Sequence, residues 1–278
     1  MKNILLTTDF SKNSRNAAIY AINLFGNEEI KYTFLNALDS KVSFDLMTTK
    51  KEDLKIASLI ELNNEITYLK DYFPALNLTI EPCFKMDSIT NSIDYLNDKE
   101  SYDFIVTGTK GENSKSWFLG STAKKITQHS PVPVLIIPEM ATFKKISTIL
   151  FVTDLRLDES YLINQAISFA KFNNASMTIL HVDRDGSASN WSLLKLKELV
   201  KNSDYDQIKF EKLVDDDVEK AIIRYILNNN VDLLSVITYT TTLFKKWFHH
   251  SLTKKLLKHS KIPLLVYNRK EFDIIFLG

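Results

Sequence analysis

Tyr102-Asp103-Phe104-Ile105-Val106-Thr107-Gly108-Thr109-Lys110-Gly111, followed after eight further residues by Gly120-Ser121-Thr122, is the stretch on which the fold turns. Three of the chain's 6 glycines fall between positions 108 and 120. A chain that avoids glycine elsewhere accepts its entropic cost here, which points to positive φ or to close approach of a ligand. Residues 102–107 read as a buried strand and residues 121–130 as a helix. A strand, a glycine-rich loop and a helix start make a phosphate site in α/β proteins, because the free N–H groups carry partial positive charge.

Outward from this stretch the chain repeats itself. Trp117-Phe-Leu-Gly-Ser-Thr-Ala-Lys-Lys125 aligns with Trp247-Phe-His-His-Ser-Leu-Thr-Lys-Lys255. The same offset pairs His129-Ser130 with His259-Ser260 and Pro133-Val-Leu-Ile136 with Pro263-Leu-Leu-Val266. Near the start of each half, Ile4-Leu-Leu-Thr-Thr-Asp9 matches Ile149-Leu-Phe-Val-Thr-Asp154 at a larger offset. The first half therefore carries extra residues, placed around 40–70. A repeat this long is two domains, 1–140 and 145–270, since solenoid repeats run to roughly 20–50 residues.

Each half alternates strand and helix. Strands are expected at 3–8, 31–38, 78–84, 103–107 and 132–137. Helices lie between them, the first capped by Ser11 or Ser14 and closed by Gly26. A long helix over 51–72 stops before Pro74, another follows Asp87 or Ser88, and the last starts at Gly120. The second half repeats this at 147–153, 158–172, 176–182, 190–202, 207–213, 216–229, 232–237, 250–259 and 262–267. The pattern predicts α/β architecture: two tandem doubly wound domains, each with a five-stranded, mostly parallel sheet flanked by helices, Rossmann-like. Ligands of such sheets bind beyond the carboxyl ends of the strands, at the topological switch point.

The totals bound the function. An apolar fraction of 45% and a charged fraction of 25% are those of a globular protein. No apolar run reaches the ~20 residues that cross a bilayer, so no membrane is expected. The opening Met1-Lys-Asn-Ile-Leu-Leu6 leaves no room for a signal peptide. Cys83 stands alone in the chain, which rules out an internal disulfide and suggests a reducing, cytoplasmic setting. A net charge of +1 gives no pull toward nucleic acid.

Ile4-Leu-Leu-Thr-Thr-Asp9-Phe-Ser11, the Gly108-x-x-Gly111…Gly120-Ser121 loop and the closing Pro131-Val-Pro133-Val-Leu-Ile-Ile137 together resemble universal stress protein domains. The resemblance covers nearly the whole chain, as two tandem domains. It implies a stress-response protein whose domain, in one branch of the family, binds ATP or AMP, with Mg²⁺ as an accompanying ion. Carried over, Asp9 touches the ribose, Thr7 and Ala37 line the adenine pocket, and Gly108, Gly111, Gly120, Ser121 and Thr122 cradle the phosphates. The family usually has nine residues between its second and third glycines; this chain has eight, a shortening that bears on ATP more than on nucleotide in general. In the second half Thr238, Thr241 and His250 are read as replacing the three glycines, while Asp154 and Ser251 persist. That half is expected to keep the fold and lose the nucleotide. The resemblance also implies association through the last strand, so 132–137 and 263–267 pair within one chain as an internal pseudo-dimer, with a homodimer of whole chains as a further option.

Simpler readings stand beside these. Asp9 suits an N-cap or Asx turn. His129 and His259 suit helix C-termini. Lys110, Lys115, Lys124 and Lys125 surround the loop, as exposed lysines or phosphate partners. The 245–250 cluster with His249 and His250 reads as a solvated loop face, and Cys83 as a small hydrophobe in a buried strand. No Gly-x-x-x-x-Gly-Lys-Ser/Thr, Gly-x-Ser-x-Gly, His-Glu-x-x-His or Cys-x-x-Cys occurs. The expected protein is non-enzymatic, slow hydrolysis of bound ATP being the one turnover left open. It binds an adenine nucleotide in its first domain and acts on unknown protein partners by ordering the 111–120 loop. The alternative is a nucleotide-independent interaction module; a third reading is a pocket for another anionic or lipid-like metabolite. The apolar stretch at 272–277 suits packing on a domain or an edge strand.

Overall fold

Alternating periods of hydrophobicity lay down alternating strands and helices, seen in a computed structural model that describes residues 2–39, 48–109, 120–155, 160–184, 190–239 and 261–269. The first half runs β1 (Lys2–Thr7), α1 (Lys12–Phe25), β2 (Ile30–Ala37), α2 (Thr48–Tyr72), β3 (Thr79–Lys85), α3 (Ile89–Lys99), β4 (Phe104–Gly108), α4 (Ser121–His129) and β5 (Val134–Ile137). The second runs β6 (Thr148–Thr153), α5 (Ser160–Asn173), β7 (Ser176–Asp183), α6 (Asn190–Lys201), β8 (Ile208–Val214), α7 (Val218–Asn228), β9 (Leu233–Tyr239) and β10 (Leu264–Arg269). The helix expected at 250–259, the 272–277 stretch, the 245–250 cluster, Gly111, Lys110, Lys115, Thr241, Ser251 and His259 lie outside the described residues.

Local chemistry sets the boundaries. Ser11 Oγ accepts from Ser14 N (3.2 Å) and caps α1. Gly26, at φ 78°, ends the same helix by returning its N–H to Ile22 O, a left-handed stop that a Cβ would strain. Ser88 caps α3 and Asp217 caps α7, each accepting from the N–H three residues on. Helix α2 closes just before Pro74. It has 25 residues against 12 in its counterpart α6, which is where the extra residues of the first half lie.

The strand order is β3-β2-β1-β4-β5-β10-β9-β6-β7-β8, one ten-stranded sheet. Every neighbouring pair is parallel except β5 with β10, which run antiparallel in the register Leu264↔Ile136, Leu265↔Leu135 and Val266↔Val134. Each half is thus a parallel, doubly wound five-stranded unit, and the two units share one sheet. One face is covered by α1, α2, α5 and α6, whose core includes Leu135 and Leu265. The other is covered by α3, α4 and α7, whose core includes Val134, Ile136, Leu264 and Val266. Both cores cross the junction between halves.

The connection over 138–147 is held at both ends. Ala141 and Ile146 are buried, and Asn16 Nδ2 donates to Ala141 O (2.9 Å). Asp232 accepts from Ser147 N (2.9 Å) and Thr148 N (3.0 Å) and pairs with Lys144. Asp103 does the same for the first half, accepting from Asn3 N at 2.8 Å.

One expectation is corrected by the topology. Cys83 is half-buried, because β3 is an edge strand, the position a strand proline such as Pro82 tolerates. Partial burial raises its thiol pKa, with the nearby Lys85 charge opposing; that favours the inert thiol.

Candidate functional site

In the first half the chain steps from β1 outward to β2 and β3, then returns to place β4 on the other flank of β1. The topological switch point is therefore the crevice beyond the carboxyl ends of β1 and β4, where Leu6 and Val106 are paired. Thr7 ends β1 and is buried, its hydroxyl 3.5 Å from Val106 O. Gly108 ends β4 and Ala37 ends β2, one strand away. The crevice thus gathers Thr7, Asp9, Gly108 and Gly120, with Ala37 on its flank.

The turn after β1 is built by side chains. Thr8 Oγ1 accepts from Phe10 N (2.9 Å), and Asp9 Oδ1 accepts from Ser11 N (3.2 Å). Phe10 is held at φ 64°, an uncommon conformation for a bulky residue. The second half repeats the device: Thr153 Oγ1 accepts from Leu155 N (3.0 Å), with Leu155 at φ 56°. Asp9 thus serves the turn, and it is exposed at the mouth of the crevice.

The glycines divide into different roles. Gly108 has an ordinary φ; a Cβ on it would stand 2.7 Å from Asn13 Nδ2 and 2.9 Å from Asn13 Cγ. The close approach expected there from a ligand is made by the first turn of α1. Asn13 is buried and also donates to Thr109 Oγ1 (3.4 Å), fastening α1 to the end of β4. Gly120 is the N-cap of α4, at φ −61° and ψ 161°, with no side-chain cap. Its N–H donates to Thr109 O (2.5 Å), which pins together the two ends of the segment 110–119. Ser121 and Thr122 are exposed in the first turn of α4. The start of α4 beside the crevice therefore keeps backbone donors that meet no side-chain acceptor among the described residues. Lys124 and Lys125 are exposed on the same helix, and His129 at its end meets Lys125 O through Nδ1 (2.9 Å).

Sequence reasoning missed Asn13 and Asn36. Asn36 is buried at the end of β2, donates to Thr8 O (2.9 Å) and leaves its own Oδ1 without a partner among the described residues. His181 occupies the matching place in β7 and meets Thr153 O through Nδ1 at 3.0 Å. Both positions fall at the offset that relates Asp9 to Asp154, the signal by which they could have been found.

The second half needs one correction. Leu6 pairs with Val106, and its counterpart Phe151 pairs with Ser235. Ile237, not Thr238, therefore stands where Gly108 does, and its side chain is buried. Asp183, at the end of β7, is buried and paired with Lys212 at 2.8 Å. Among the described residues no cluster of three or more His, Cys, Asp or Glu side chains is placed to hold a metal ion.

The model of the universal stress protein family matches this chain twice, over residues 1–138 and 145–268. A universal stress protein of Synechocystis is 26% identical over 96% of this chain and 100% of its own length. Among solved structures, a universal stress protein from Archaeoglobus fulgidus superposes with a TM-score of 0.67 at 21% identity, covering 97% of each chain. The cytoplasmic domain of a prokaryotic cation chloride cotransporter shares the fold at a TM-score of 0.57 and 9% identity, over 95% of this chain and 94% of its own. The same architecture thus serves more than one role, and function has to be argued from the site.

Proposed function

This chain belongs to the universal stress protein family, as a tandem two-domain member, and from that premise we propose that its first half binds an adenine nucleotide, ATP or AMP. The observation that carries this is the start of α4, which has no side-chain cap and opens beside the β1–β4 crevice. Such a helix start holds an anion through its free N–H groups and its dipole. In this reading Gly120, Ser121 and Thr122 take the phosphates, Asp9 the ribose, and Thr7 and Ala37 flank the base, while Gly108 serves by admitting Asn13. Gly111 joins the phosphate group on the family pattern. Any Mg²⁺ enters with the phosphates. The units run over 1–140 and 145–270. The second has lost the ligand, since the sequence sets His250 where the phosphate-facing Gly120 stands in the first. The protein acts in the cytoplasm as a stress-response factor, through its surface and without catalysis.

A second reading, an interaction module that needs no nucleotide, is favoured by one observation: Asn13 already accounts for Gly108 without a ligand. Calorimetric titration with ATP, ADP and AMP, with and without Mg²⁺, separates the two. Gly120 has backbone angles an Asp accepts, so Gly120→Asp caps α4 and sets a carboxylate against the phosphates. The nucleotide reading expects saturable binding in the wild type, lost in Gly120→Asp with melting temperature kept or raised. No heat and no thermal shift with any nucleotide would leave the interaction module.

A further inference from the structure

We propose that Asn268, on the last strand of the second half, is a positioning residue for the phosphate-facing helix of the first half. The inference rests on the nucleotide reading above and gives the half without the glycine-rich loop a task in the other half's site. Helix α4 has 9 residues and no side-chain N-cap; isolated helices below ~12–15 residues are marginal, so this one depends on what holds its ends. At its C-terminus the last carbonyls lack partners within the helix. Ser130 N closes on Ile126 O (2.8 Å). Two more carbonyls, Gln128 O and Ser130 O, accept from the single amide Asn268 Nδ2, at 3.0 and 3.2 Å. Asn268 sits on β10, which is paired on both sides, with β5 and with β9. Ile126 of α4 packs in the core that contains Leu264 and Val266 of the same strand.

The arrangement runs one way. Pro133 O accepts from Ile105 N (3.0 Å) and Pro263 O from Leu234 N (3.1 Å), which fixes the alignment of β5 with β10. At that offset the counterpart of Asn268 is Pro138, which has no N–H and no side-chain amide. The repeat keeps the position, but the amide is present only where it reaches the helix behind the glycine loop. An amide donor at the C-terminus satisfies the orphan carbonyls and keeps the backbone dipoles aligned to the far end. The N–H groups of Ser121 to Ala123 then stay fixed at the crevice.

Asn268→Leu, Asn268→Asp and Asn268→Gln in the full chain test this, by amide hydrogen exchange over 121–130, ATP titration and calorimetric melting. The Leu and Asp variants are expected to exchange faster over 121–130 while β1 and β4 keep their rates. ATP affinity should fall roughly fivefold in Asn268→Leu, the worth of one hydrogen bond. It should fall further in Asn268→Asp, whose carboxylate faces two carbonyl oxygens, and Asn268→Gln should restore both readouts. A lower melting temperature with unchanged ATP affinity, or unchanged exchange over 121–130, overturns the proposal. A wild type that binds no nucleotide overturns the nucleotide reading instead, and exchange over 121–130 still decides whether Asn268 holds α4.

Discussion

At the scale of single residues, Gly108 shows how a correct expectation can have a different cause. The amide of Asn13 lies where a Cβ would point, with Asn13 O 3.2 Å from the same place. Gly108→Ala is expected to cost about 1–3 kcal/mol of unfolding free energy, the range for overpacking a tight site. The amide end of a side chain can be removed, so adding Asn13→Ala should return part of that loss. Urea unfolding of both single variants and the double variant reads the coupling; strictly additive losses would show that Asn13 is not what excludes the Cβ. The rarity of glycine made the window legible. Which group approaches was not legible, because Asn13 is distant in sequence and looks like any polar residue in a first helical turn. Cys83 was misplaced for a related reason: Ile80, Pro82 and Phe84 alternate as a core strand would, and only the strand order shows that β3 lies at the edge.

Elements were far easier to read than contacts, because their limits are written in local chemistry. Ser11, Gly26, Ser88 and Pro74 each act within a few residues of themselves, and the observed ends of α1, α2 and α3 follow them. Ser11→Ala should therefore cost about 1 kcal/mol, the usual worth of an N-cap. It should also loosen the turn in which Asp9 bonds Ser11 N. Thermal unfolding reads the first effect; faster exchange at residues 11–14, with α5 unchanged, reads the second. Register across the repeat was less legible. The alignment taken from Trp117 and Trp247 is right for the last strand of each half, but β4 and β9 sit one residue out of it. The second half carries one more residue than the first between these strands and the tryptophans. Only strand pairing reveals where that residue falls, and it puts Ile237 in the place of Gly108.

For the whole molecule, the antiparallel seam between β5 and β10 decides how the chain folds and associates. Val134, Leu135, Ile136 and Ile137 are all buried, as are Leu264, Leu265 and Val266. The cores on both faces of the sheet continue through them. Neither half can be removed without exposing an unpaired apolar strand, which is a template for pairing with another chain. The full chain should therefore unfold in a single transition, with far-ultraviolet dichroism and calorimetry coincident. A fragment of residues 1–140 should self-associate through its exposed β5, as sedimentation can show. Val266→Asp in the full chain places a charge in a strand paired on both sides and buried on both faces. Its cost should be several kcal/mol, on the order of 3–5 for an unpaired buried charge, and it should separate the transition into two. A monomeric 1–140 fragment as stable as the intact protein, or a wild-type chain that melts in two separate steps, would mean that the halves fold independently. In that case Asn268 could not hold α4 from across the seam, since its grip requires that β10 stay paired to β5 while α4 forms.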